Sequence, residues 1–520
     1  MMTKQELLEQ EQKAFDALYQ TVLRNGKLMF AGRLLLRAVQ QHGDTTALIY
    51  HDEHITYKKL YARACALSKK IVDRHGLKPR DRAIICFENS PQFYIAYFAL
   101  WQAGVIVAPV NTFLKETELG HIIQDAEPAI IMTSSDRVEL FKKAGQSLPP
   151  IVTELDMDDA DENAPIVDTI VDLEPEELAA LLYTSGTTGF PKGVMLSSKN
   201  IMTNVLQVAS ILGKPEEERI FGVLPLFHSF AQNTCVWASI FYGITIILVP
   251  KIDRRYILEG LQHKPTIFLG VPALYGLLCL MKTAPLDSVR LFVSGGDALP
   301  DKIRAAFGLI YRRKLANGYG LTETTPVISA NLGDETVPAS NVGLPLIGIE
   351  CVARDDNGND LPSGSIGVLW VKGNNVMLGY YHAQEATDKV LQNGWFNTGD
   401  VGYIDEQGRI VITGREKDLI INKGFNIYPQ EIENIILLHP NVIRAAVVGK
   451  IDEEGEVPIA FVQLRSADGD IEKSLRSLCM QHLAVYKVPR QFICDTKELP
   501  ATATGKIDKK VLRALLSEKI

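Results

Sequence analysis

Short apolar segments alternate with helical patterns through roughly the first 330 residues, and this alternation limits the fold more than any other feature. The apolar segments are A-I-I-C-F (83–87), V-I-V-A-P-V (105–110), A-I-I-M-T (129–133), T-I-I-L-V (245–249) and V-R-L-F-V-S (289–294). Alternation of this kind predicts parallel sheets with helices on their faces, because parallel strands need long crossover connections. The sequence therefore predicts the α/β class.

The pattern changes twice in the second part of the chain. From about residue 340 to 415, turn-rich alternating segments such as I-G-V-L-W-V-K-G and G-R-I-V-I-T-G predict a smaller antiparallel sheet or barrel. After G-R-E-K-D (414–418) the pattern predicts a compact α+β domain of about a hundred residues, which is a usual size for an independent unit. We therefore predict a helical extension at 1–42, a core domain at 43–415, a hinge at 416–418 and a C-terminal domain at 419–520.

Composition excludes several classes of protein. The chain has 520 residues, too many for one core, with 46% apolar and 22% charged residues, as in ordinary globular proteins. Its net charge of −8 comes without long runs of like charge and gives no sign of nucleic-acid binding. Seven scattered cysteines without a C-x-x-C pair favour free thiols in a cytoplasmic protein over disulfides or a zinc site.

Two segments bear on membrane contact. The most apolar stretch, Tyr94–Val110, is too short to span a bilayer and is interrupted by Gln102 and Gly104, so we predict a buried helix followed by a buried strand. Residues 4–37 carry helical apolar spacing. This spacing favours a helix that packs on its own domain, and it leaves peripheral membrane contact and homodimerisation open.

A loop rich in glycine and hydroxyl residues, Y-T-S-G-T-T-G-F-P-K-G, occupies positions 183 to 193. Glycine lets the backbone approach a ligand closely, and the hydroxyls add donors to the main-chain amides. A strand pattern precedes the loop, and a strand end and then a helix starting near Ser198 follow it. Strand, glycine-rich loop and helix form an arrangement that cradles phosphate. An ordinary connecting loop remains an alternative. The segment is not a Walker P-loop, because Pro191 precedes Lys192 and Gly193 follows it, which argues against a kinase or GTPase.

Four further clusters carry groups suited to nucleotide chemistry: N-G-Y-G-L-T-E-T-T (317–325), W-F-N-T-G-D (395–400), G-R-E-K-D-L-I-I-N-K-G-F-N-I-Y-P (414–429) and P-A-T-A-T-G-K-I-D-K-K (500–510). Tyr319 could stack on a base, and Glu323 could hold a divalent cation, although a tight turn before a helix explains that cluster equally well. Asp400 suits a ribose diol or a helix cap. Lys506 alone would be read as a solvated lysine.

Together with L-P-L-F-H-S-F (224–230) and S-G-G-D-A-L-P (294–300), these segments resemble the core motifs of the adenylate-forming enzymes: acyl-CoA synthetases, firefly luciferase and the adenylation domains of peptide synthetases. The resemblance runs from about residue 43 to the C-terminus, with the motifs in the family's order. It implies a large N-terminal domain of two αβ sheet units plus a distorted β-barrel, followed by a small mobile α+β domain.

The resemblance also implies a site for ATP and Mg²⁺. The residues that it assigns to the β- and γ-phosphates are Thr184, Ser185, Gly186, Thr187, Thr188, Gly189 and Lys192. Those that it assigns to the adenine are Gly296, Asp297, Asn317, Gly318, Tyr319 and Gly320. It further implies that Thr322 contacts the α-phosphate, that Asp400 and Arg415 hold the ribose, and that Thr184 and Glu323 bind Mg²⁺.

Two half-reactions follow from the resemblance. A carboxylate attacks the α-phosphorus of ATP, so two anions must meet, and the cations at Glu323 and Lys506 would offset the growing charge. A thiol then attacks the acyl-adenylate, which requires Lys506 to withdraw. Rotation of the small domain at Lys417 would serve both steps. Gly424 matches the loop that lines the pantetheine tunnel for CoA.

The nature of the acid follows from residues 227–230. Amino-acid-activating members of the family carry Asp where this chain has His228, and an unpaired substrate ammonium would be costly to bury. Phe227, His228 and Phe230 instead resemble the acyl pocket and catalytic histidine of acyl and aryl CoA ligases. The segments S-G-G-D-A-L-P (294–300), N-V-M-L-G-Y-Y (375–381) and R-E-K-D-L-I-I-N-K-G-F-N-I-Y-P (415–429) are most similar to those of bacterial medium- to long-chain fatty acyl-CoA synthetases. An aryl-acid CoA ligase, an acyl-carrier-protein ligase and a non-catalytic acyl or nucleotide binder remain alternatives.

Overall fold

The structure is a computed structural model that describes residues 4–157, 166–184, 191–212, 217–422, 425–452, 455–467, 469–502 and 506–517. Its α-helices are α1 (Lys4–Gln20), α2 (Leu34–His42), α3 (Tyr57–His75), α4 (Pro91–Gln102), α5 (Glu116–Ala126), α6 (Val138–Ala144), α7 (Ser198–Leu212), α8 (Ser229–Ala231), α9 (Ala238–Tyr242), α10 (Arg254–Leu261), α11 (Pro272–Met281), α12 (Asp301–Tyr311), α13 (Gln384–Val390), α14 (Pro429–Leu437), α15 (Ile471–His482) and α16 (Lys509–Ser517). A π-helix, Gln232–Trp237, joins α8 to α9.

The strands are β1 (Leu23–Arg24), β2 (Lys27–Leu28), β3 (Thr46–Tyr50), β4 (Glu53–Thr56), β5 (Arg82–Cys86), β6 (Ile106–Pro109), β7 (Ile130–Thr133), β8 (Ile151–Thr153), β9 (Leu178–Thr184), β10 (Lys192–Ser197), β11 (Arg219–Gly222), β12 (Thr245–Leu248), β13 (Ile267–Gly270), β14 (Leu291–Ser294), β15 (Ala316–Gly320), β16 (Val327–Asn331), β17 (Leu344–Pro345), β18 (Glu350–Arg354), β19 (Gly367–Lys372), β20 (Gly379–Tyr380), β21 (Leu391–Gln392), β22 (Trp395–Ile404), β23 (Ile410–Arg415), β24 (Ile420–Asn422), β25 (Phe425–Ile427), β26 (Val442–Asp452), β27 (Gly455–Leu464) and β28 (Gln491–Asp495). All five apolar segments that the sequence singled out form strands, namely β5, β6, β7, β12 and β14.

Two large sheets build the first part of the chain, in the strand orders β20-β10-β9-β6-β5-β7-β8 and β17-β16-β15-β14-β13-β11-β12-β3-β4. Their central strands are parallel, as the sequence predicts. The edges are antiparallel, because β3 and β4, like β9 and β10, follow one another through connections too short for a crossover. The α/β class is confirmed, with mixed rather than purely parallel sheets.

Helix α4 lies at the centre of the core between the two sheets. It is buried along almost its whole length, and Trp101 stacks on Trp237 of the π-helix with ring centroids 6.5 Å apart. One apolar cluster therefore includes side chains of both sheets. The prediction of a buried helix and then a buried strand within residues 94–110 is confirmed by α4 and β6, and Gly104 makes the turn between them with φ +70°.

The remaining sheets follow the two predicted changes of pattern. Strands β18, β19, β22, β21 and β23 form a five-stranded antiparallel sheet, and β26, β27 and β28 form a three-stranded sheet in the C-terminal part. The segment Glu416–Asp418 forms one 3₁₀ turn between these parts. Large and small α/β parts joined at this turn match the predicted fold, while the domain limits themselves remain predictions.

Helix α1 packs on α7 of the large domain, as predicted. No helix in the described part of the chain is long and apolar enough to cross a membrane. All seven cysteines are free thiols, in agreement with the prediction from their spacing.

Candidate active site

A cavity of about 2450 Å³ lies between the large domain and the C-terminal domain. It opens where the carboxyl ends of the parallel strands β14 and β15 meet, the edge at which α/β sheets commonly bind ligands. The described residues with predicted roles that line it are Thr184, Lys192, Phe227, His228, Phe230, Gly296, Asp297, Asn317, Gly318, Tyr319, Gly320, Thr322, Glu323, Asp400, Arg415, Lys417 and Lys506. The fold thus brings together residues that lie more than 300 positions apart.

The backbone at the β14 and β15 edge is shaped by glycine. Gly296 turns the chain after β14 with φ +79°, a conformation that other residues rarely adopt. Gly320 approaches the next turn so closely that an added Cβ would stand 1.8 Å from the carbonyl oxygen of Pro326. The side chain of Asn317 donates to the carbonyl of Ala339 (2.7 Å) and ties this edge to the chain beyond β16. The predicted adenine site therefore has rigid walls.

Asp400 is a buried carboxylate held from two sides. The hydroxyl of Tyr319 donates to Oδ2 at 2.7 Å, and Nε of Arg415 lies 2.9 Å from Oδ1. The register of β22 and β23, which sets Asp400 opposite Arg415, brings the ion pair together. Burial, together with the charge of Asp400, raises the pKa of Tyr319 well above its usual value, and Asp400 raises the pKa of Arg415. Asp400 lies inside β22, so the alternative of a helix cap is wrong.

Lys506 reaches this cluster from the far end of the chain. The backbone N–H of Thr502 donates to the carbonyl of Lys506 (2.7 Å), and an isolated bridge pairs Ala501 with Ile507, so the backbone of Lys506 is held beside residues 501 and 502. Withdrawal from water lowers the pKa of Lys506, whereas the charges of Asp297 and Asp400 act in the opposite direction. The ammonium group of Lys506 therefore lies near two acidic residues of the large domain and near the cation of Arg415, which lowers its pKa further.

His228 lies close enough to Lys506 for their charges to interact. Burial, and then the charge of Lys506, lowers the pKa of His228 to about 4, so the imidazole is neutral near pH 7. Its Nδ1 accepts a hydrogen bond from the backbone N–H of Phe230 (3.2 Å), which caps the start of α8. Because the imidazole of His228 is neutral, it can lie beside Lys506 and a substrate carboxylate without adding charge repulsion to the lysine.

The predicted phosphate loop spans two strands. Thr184 ends β9 and Lys192 begins β10, and the two residues face each other in the register of this antiparallel pair. Ser185, Gly186, Thr187, Thr188 and Gly189 lie outside the described residues. The prediction of a strand end after the loop, followed by a helix near Ser198, is confirmed by β10 and by α7, which begins at Ser198.

Glu323 and Lys192 meet at Tyr380, a residue to which the sequence assigned no role. The hydroxyl of Tyr380 donates to Oε1 of Glu323 at 2.8 Å, and Nζ of Lys192 lies 5.4 Å from the centroid of the tyrosine ring. Burial and the charge of Glu323 raise the pKa of this hydroxyl. Tyr380 belongs to the segment N-V-M-L-G-Y-Y. The motif therefore marked this part of the chain, but it did not predict the contact between Tyr380 and Glu323.

Oxygen ligands for a divalent cation are present at this end of the cavity. The carboxylate of Glu323 and the hydroxyl of Thr184 both line it, and Mg²⁺ prefers such ligands together with phosphate and water. Among the described residues there is no group of three or more His, Cys, Asp or Glu that could hold a metal by itself. The residues fit an ion carried in with a nucleotide better than a metal held entirely by protein.

Another part of the cavity, termed its apolar end, is lined by apolar side chains. It is lined by one face of α7, with Val208, Ile211 and Leu212, and by residues four apart on the helix that continues from α8, with Thr234, Ala238 and Tyr242. Phe227 and Phe230 stand beside His228 where the polar and apolar ends join. The sequence predicted Phe227, His228 and Phe230 at this junction. It did not predict that α7 and the helix that continues from α8 line the apolar end.

Lys417 occupies the 3₁₀ turn between β23 and β24. Burial and the nearby Arg415 lower the pKa of Lys417. Gly424 lies outside the described residues.

Two contacts of the large domain were not predicted from the sequence. The hydroxyl of Tyr183 donates to Asp125 (2.7 Å), and Lys302 donates hydrogen bonds to the C-terminal domain.

The AMP-binding enzyme family matches residues 35–381, and the AMP-binding enzyme C-terminal domain matches residues 431–506. The chain belongs to the AMP-binding enzyme family. It is therefore an adenylate-forming enzyme, as the resemblance of its motifs indicated.

Curated relatives of this AMP-binding enzyme include CoA ligases for different acids. It is 33% identical to a long-chain-fatty-acid–CoA ligase of Bacillus subtilis, with 94% of each chain covered. It is 32% identical to a 2-succinylbenzoate–CoA ligase of Bacillus velezensis, covering 92% of this chain and 97% of the relative. At this coarser level the chain is an adenylate-forming acid–CoA ligase, while the acid differs among its relatives.

Solved structures match the whole architecture of this AMP-binding enzyme. ATP-bound MatB from Rhodopseudomonas palustris superposes with a TM-score of 0.86 at 31% identity, covering 94% of this chain and 100% of the other. The o-succinylbenzoate-CoA synthetase MenE of Bacillus subtilis, in complex with ATP and magnesium ion, gives a TM-score of 0.83 at 29% identity, covering 93% and 99%. Both neighbours were therefore solved with the nucleotide that the polar end of the cavity suits.

Proposed function

We propose that the protein activates a fatty acid with ATP, forms the acyl-adenylate with release of pyrophosphate, and transfers the acyl group to CoA with release of AMP. The observation that carries this proposal is a single cavity with two unlike ends. Its polar end gathers Lys506, Asp400 and Arg415, and its apolar end runs along two helices. Such a cavity suits a molecule that is an anion at one end and a hydrocarbon at the other.

The first half-reaction needs positive charge beside the reacting carboxylate and the α-phosphate. The ammonium group of Lys506 stands in the cavity near Asp297 and Asp400, and His228 beside it is neutral. A preorganised cation of this kind stabilises the charge that builds on the phosphorus. Magnesium, held by Glu323 and Thr184, would offset the negative charge of the phosphates.

The nucleotide would be held by the edge of β14 and β15. We assign the adenine to Gly296, Asp297, Asn317, Gly318, Tyr319 and Gly320, the α-phosphate to Thr322, and the outer phosphates to Thr184, Lys192 and the loop between them. Asp400 keeps unused lone pairs beyond its bonds with Tyr319 and Arg415, because each carboxylate oxygen accepts two hydrogen bonds. Those lone pairs would accept from the ribose hydroxyls.

The second half-reaction needs room for a thiol. Lys506 and the C-terminal domain close one side of the cavity. A turn of this domain about Lys417 would withdraw the lysine and admit the pantetheine arm of CoA, with Gly424 lining its path. The sulfur would then attack the acyl carbonyl, forming the thioester bond as the bond to AMP breaks.

A long alkyl chain fits the apolar end better than an aromatic ring does. The lining from His228 to Tyr242 spans fourteen residues of helix, or roughly 20 Å at the usual rise per residue. A single ring beside His228 would leave most of this length unfilled. No described residue that lines the apolar end, from Val208 to Leu212 and from Thr234 to Tyr242, carries a charge, which disfavours acids with a second carboxylate.

An aryl-acid CoA ligase is the second candidate, favoured by the 32% identity with the 2-succinylbenzoate–CoA ligase. Transfer to an acyl carrier protein, homodimerisation, peripheral membrane contact and a cytoplasmic location stay predictions. A non-catalytic homologue is disfavoured by Lys506, which a mere binder would not need to orient toward Asp297 and Asp400.

A substrate panel tests the proposal. Pyrophosphate release would be measured with fatty acids of C4 to C18, with substituted benzoates, with 2-succinylbenzoate and with amino acids, each with and without CoA. We expect the highest kcat/KM with a medium- or long-chain fatty acid and turnover that depends on CoA. A preference for an aromatic acid would favour the second candidate, and no pyrophosphate exchange into ATP with any acid would refute both.

A further inference from the structure

Lys302 of the large domain bonds to the end of a helix in the C-terminal domain. The residue lies in the first turn of α12, and its Nζ donates to the carbonyl oxygens of Leu437 (2.7 Å), His439 (3.1 Å) and Val442 (3.4 Å). Leu437 is the last residue of α14, His439 lies in the turn that follows it, and Val442 is the first residue of β26. The ammonium group thus spans the boundary between the two domains.

These acceptors suit a cation. The last carbonyls of a helix have no partner within the helix, and they carry the negative end of its dipole. Three carbonyls match the three N–H donors of an ammonium group. Burial and the charge of Arg465 act against this cation and lower the pKa of Lys302. The contact therefore places a partly buried ammonium group against three carbonyls that can accept its hydrogen bonds.

A second interaction links the two domains. Arg444 on β26 and Lys506 both lie close enough to Asp297 of the large domain for their charges to interact. The Lys302 contact is thus present in the domain orientation that brings Lys506 into the cavity. We expect a rotation about Lys417 that withdraws Lys506 to move α14 away from α12 as well, because α14 and Lys506 belong to the same domain.

We propose that Lys302 is a positioning residue that holds the C-terminal domain in the orientation used for adenylate formation, and that its bonds to the α14 turn break before thioester formation. The inference rests on the proposed two-step function. It predicts that Lys302 favours the first half-reaction and is dispensable for the second. Because the Asp297 contacts remain when Lys302 is replaced, the effect should be partial.

The test compares the two half-reactions in the full-length Lys302→Met variant, which keeps the length of the side chain and removes the charge. Acid-dependent exchange of labelled pyrophosphate into ATP reports the first step. Conversion of supplied acyl-adenylate and CoA to acyl-CoA reports the second. We expect exchange to fall about tenfold, the scale of one lost charge-assisted hydrogen bond, while the second step is unchanged or faster.

Controls separate this role from other causes. Lys302→Arg should restore most of the exchange, because a guanidinium can donate to the same carbonyls, and Lys282→Met at an exposed position near the end of α11 should behave as wild type. An unchanged KM for ATP would exclude a direct nucleotide contact. If Lys302→Met does not fold, Lys302→Gln takes its place.

Equal losses in both half-reactions, or no loss in either, would overturn the role of Lys302. A wild-type protein that exchanges no pyrophosphate with any acid would instead refute the proposed function. The two failures are therefore distinguishable.

Discussion

The hydroxyl of Tyr380 donates a 2.8 Å hydrogen bond to Oε1 of Glu323. This bond orients the carboxylate, and a cation at Glu323 would bind through Oε2 or through the second lone pair of Oε1. Groups that orient a metal ligand commonly change metal affinity by about 10- to 100-fold when they are removed. The tyrosine therefore sets the geometry of the proposed Mg²⁺ ligand without touching the ion.

Tyr380→Phe should raise the Mg²⁺ concentration for half-maximal pyrophosphate exchange about tenfold, because the carboxylate loses the donor that orients it. Binding of Mn²⁺ in the presence of ATP, followed by electron paramagnetic resonance, should weaken in parallel. Tyr311→Phe is the matched control, because that hydroxyl bonds to the carbonyl of Leu278 away from the cavity. Wild-type metal affinity in Tyr380→Phe would contradict the assignment.

Lys506→Ala should lower adenylate formation by about 10²- to 10³-fold, since one preorganised charge is removed from the reacting centre. The conversion of supplied acyl-adenylate to thioester should remain largely intact. Both steps are measured separately, by pyrophosphate exchange and by acyl-CoA release. Lys497→Ala, at an exposed position of the same domain, is the control. Equal losses in the two steps would argue against the assigned role.

Lys417→Pro should slow thioester formation more than adenylate formation, because proline fixes φ in the turn between β23 and β24 and restricts rotation there. The ratio of the two half-reaction rates is the measurement. Lys417→Ala separates the loss of the side chain from the loss of backbone freedom, and it should leave the ratio near that of wild type. A uniform effect of proline on both steps would place the hinge elsewhere.

His228 should make the large domain less stable in acid. Its pKa is lowered from 6.5 to about 4 in the folded protein, so the unfolded chain binds a proton that the folded chain does not bind between these values. Its contribution is complete above pH 6.5 and decreases as the pH falls toward 4. When the pH falls from 7.5 to 5, protonation of His228 in the unfolded chain should lower the free energy of unfolding of the wild type by about 2 kcal/mol.

The measurement for His228 is denaturant unfolding of wild type and His228→Gln at both pH values. Tryptophan fluorescence reports the large domain, because all four tryptophans precede residue 415. The variant should lack this part of the pH dependence. An identical loss of stability in the two proteins would show that the histidine is not held neutral.

Ala238→Phe should shorten the range of accepted acids. Ala238 lines the apolar end midway between Thr234 and Tyr242, so a phenyl ring there would block the channel. Each methylene that is excluded from the channel should lower kcat/KM about fourfold, from about 0.8 kcal/mol per buried CH₂. Unchanged turnover of butyrate by the same variant is the control for folding, and an unchanged chain-length profile would place the alkyl chain outside this channel.

The central strands were predictable because each is a short, continuous apolar run, and such a run is buried in whichever sheet forms. The antiparallel partners at the sheet edges were less predictable. The strand end after the loop was predicted, but the sequence alone does not fix how Lys192 pairs with Thr184.

The site residues could be predicted because each belongs to a short local motif and the motifs follow a fixed order along the chain. Those that the structure describes line one cavity. The contacts of Tyr380 and Lys302 could not be predicted in this way. They join residues 57 and 135 positions apart, and neither side chain differs in type from an ordinary surface or core residue. Long-range pairing of this kind depends on the packing of whole domains, which no local pattern encodes.

Strand β3 pairs with β12, so that Leu48 lies opposite Ile246, while all the strands of the first sheet from β5 to β10 are encoded between them. During synthesis, about 200 further residues must therefore be added after β3 and β4 before their neighbour β12 emerges. This takes roughly 10 to 40 s at ordinary rates of translation. A hairpin with an unpaired edge is exposed for this time. The nascent chain is thus most vulnerable to aggregation before residue 248 has left the ribosome, and a fragment that starts after residue 50 would leave β12 as an open edge.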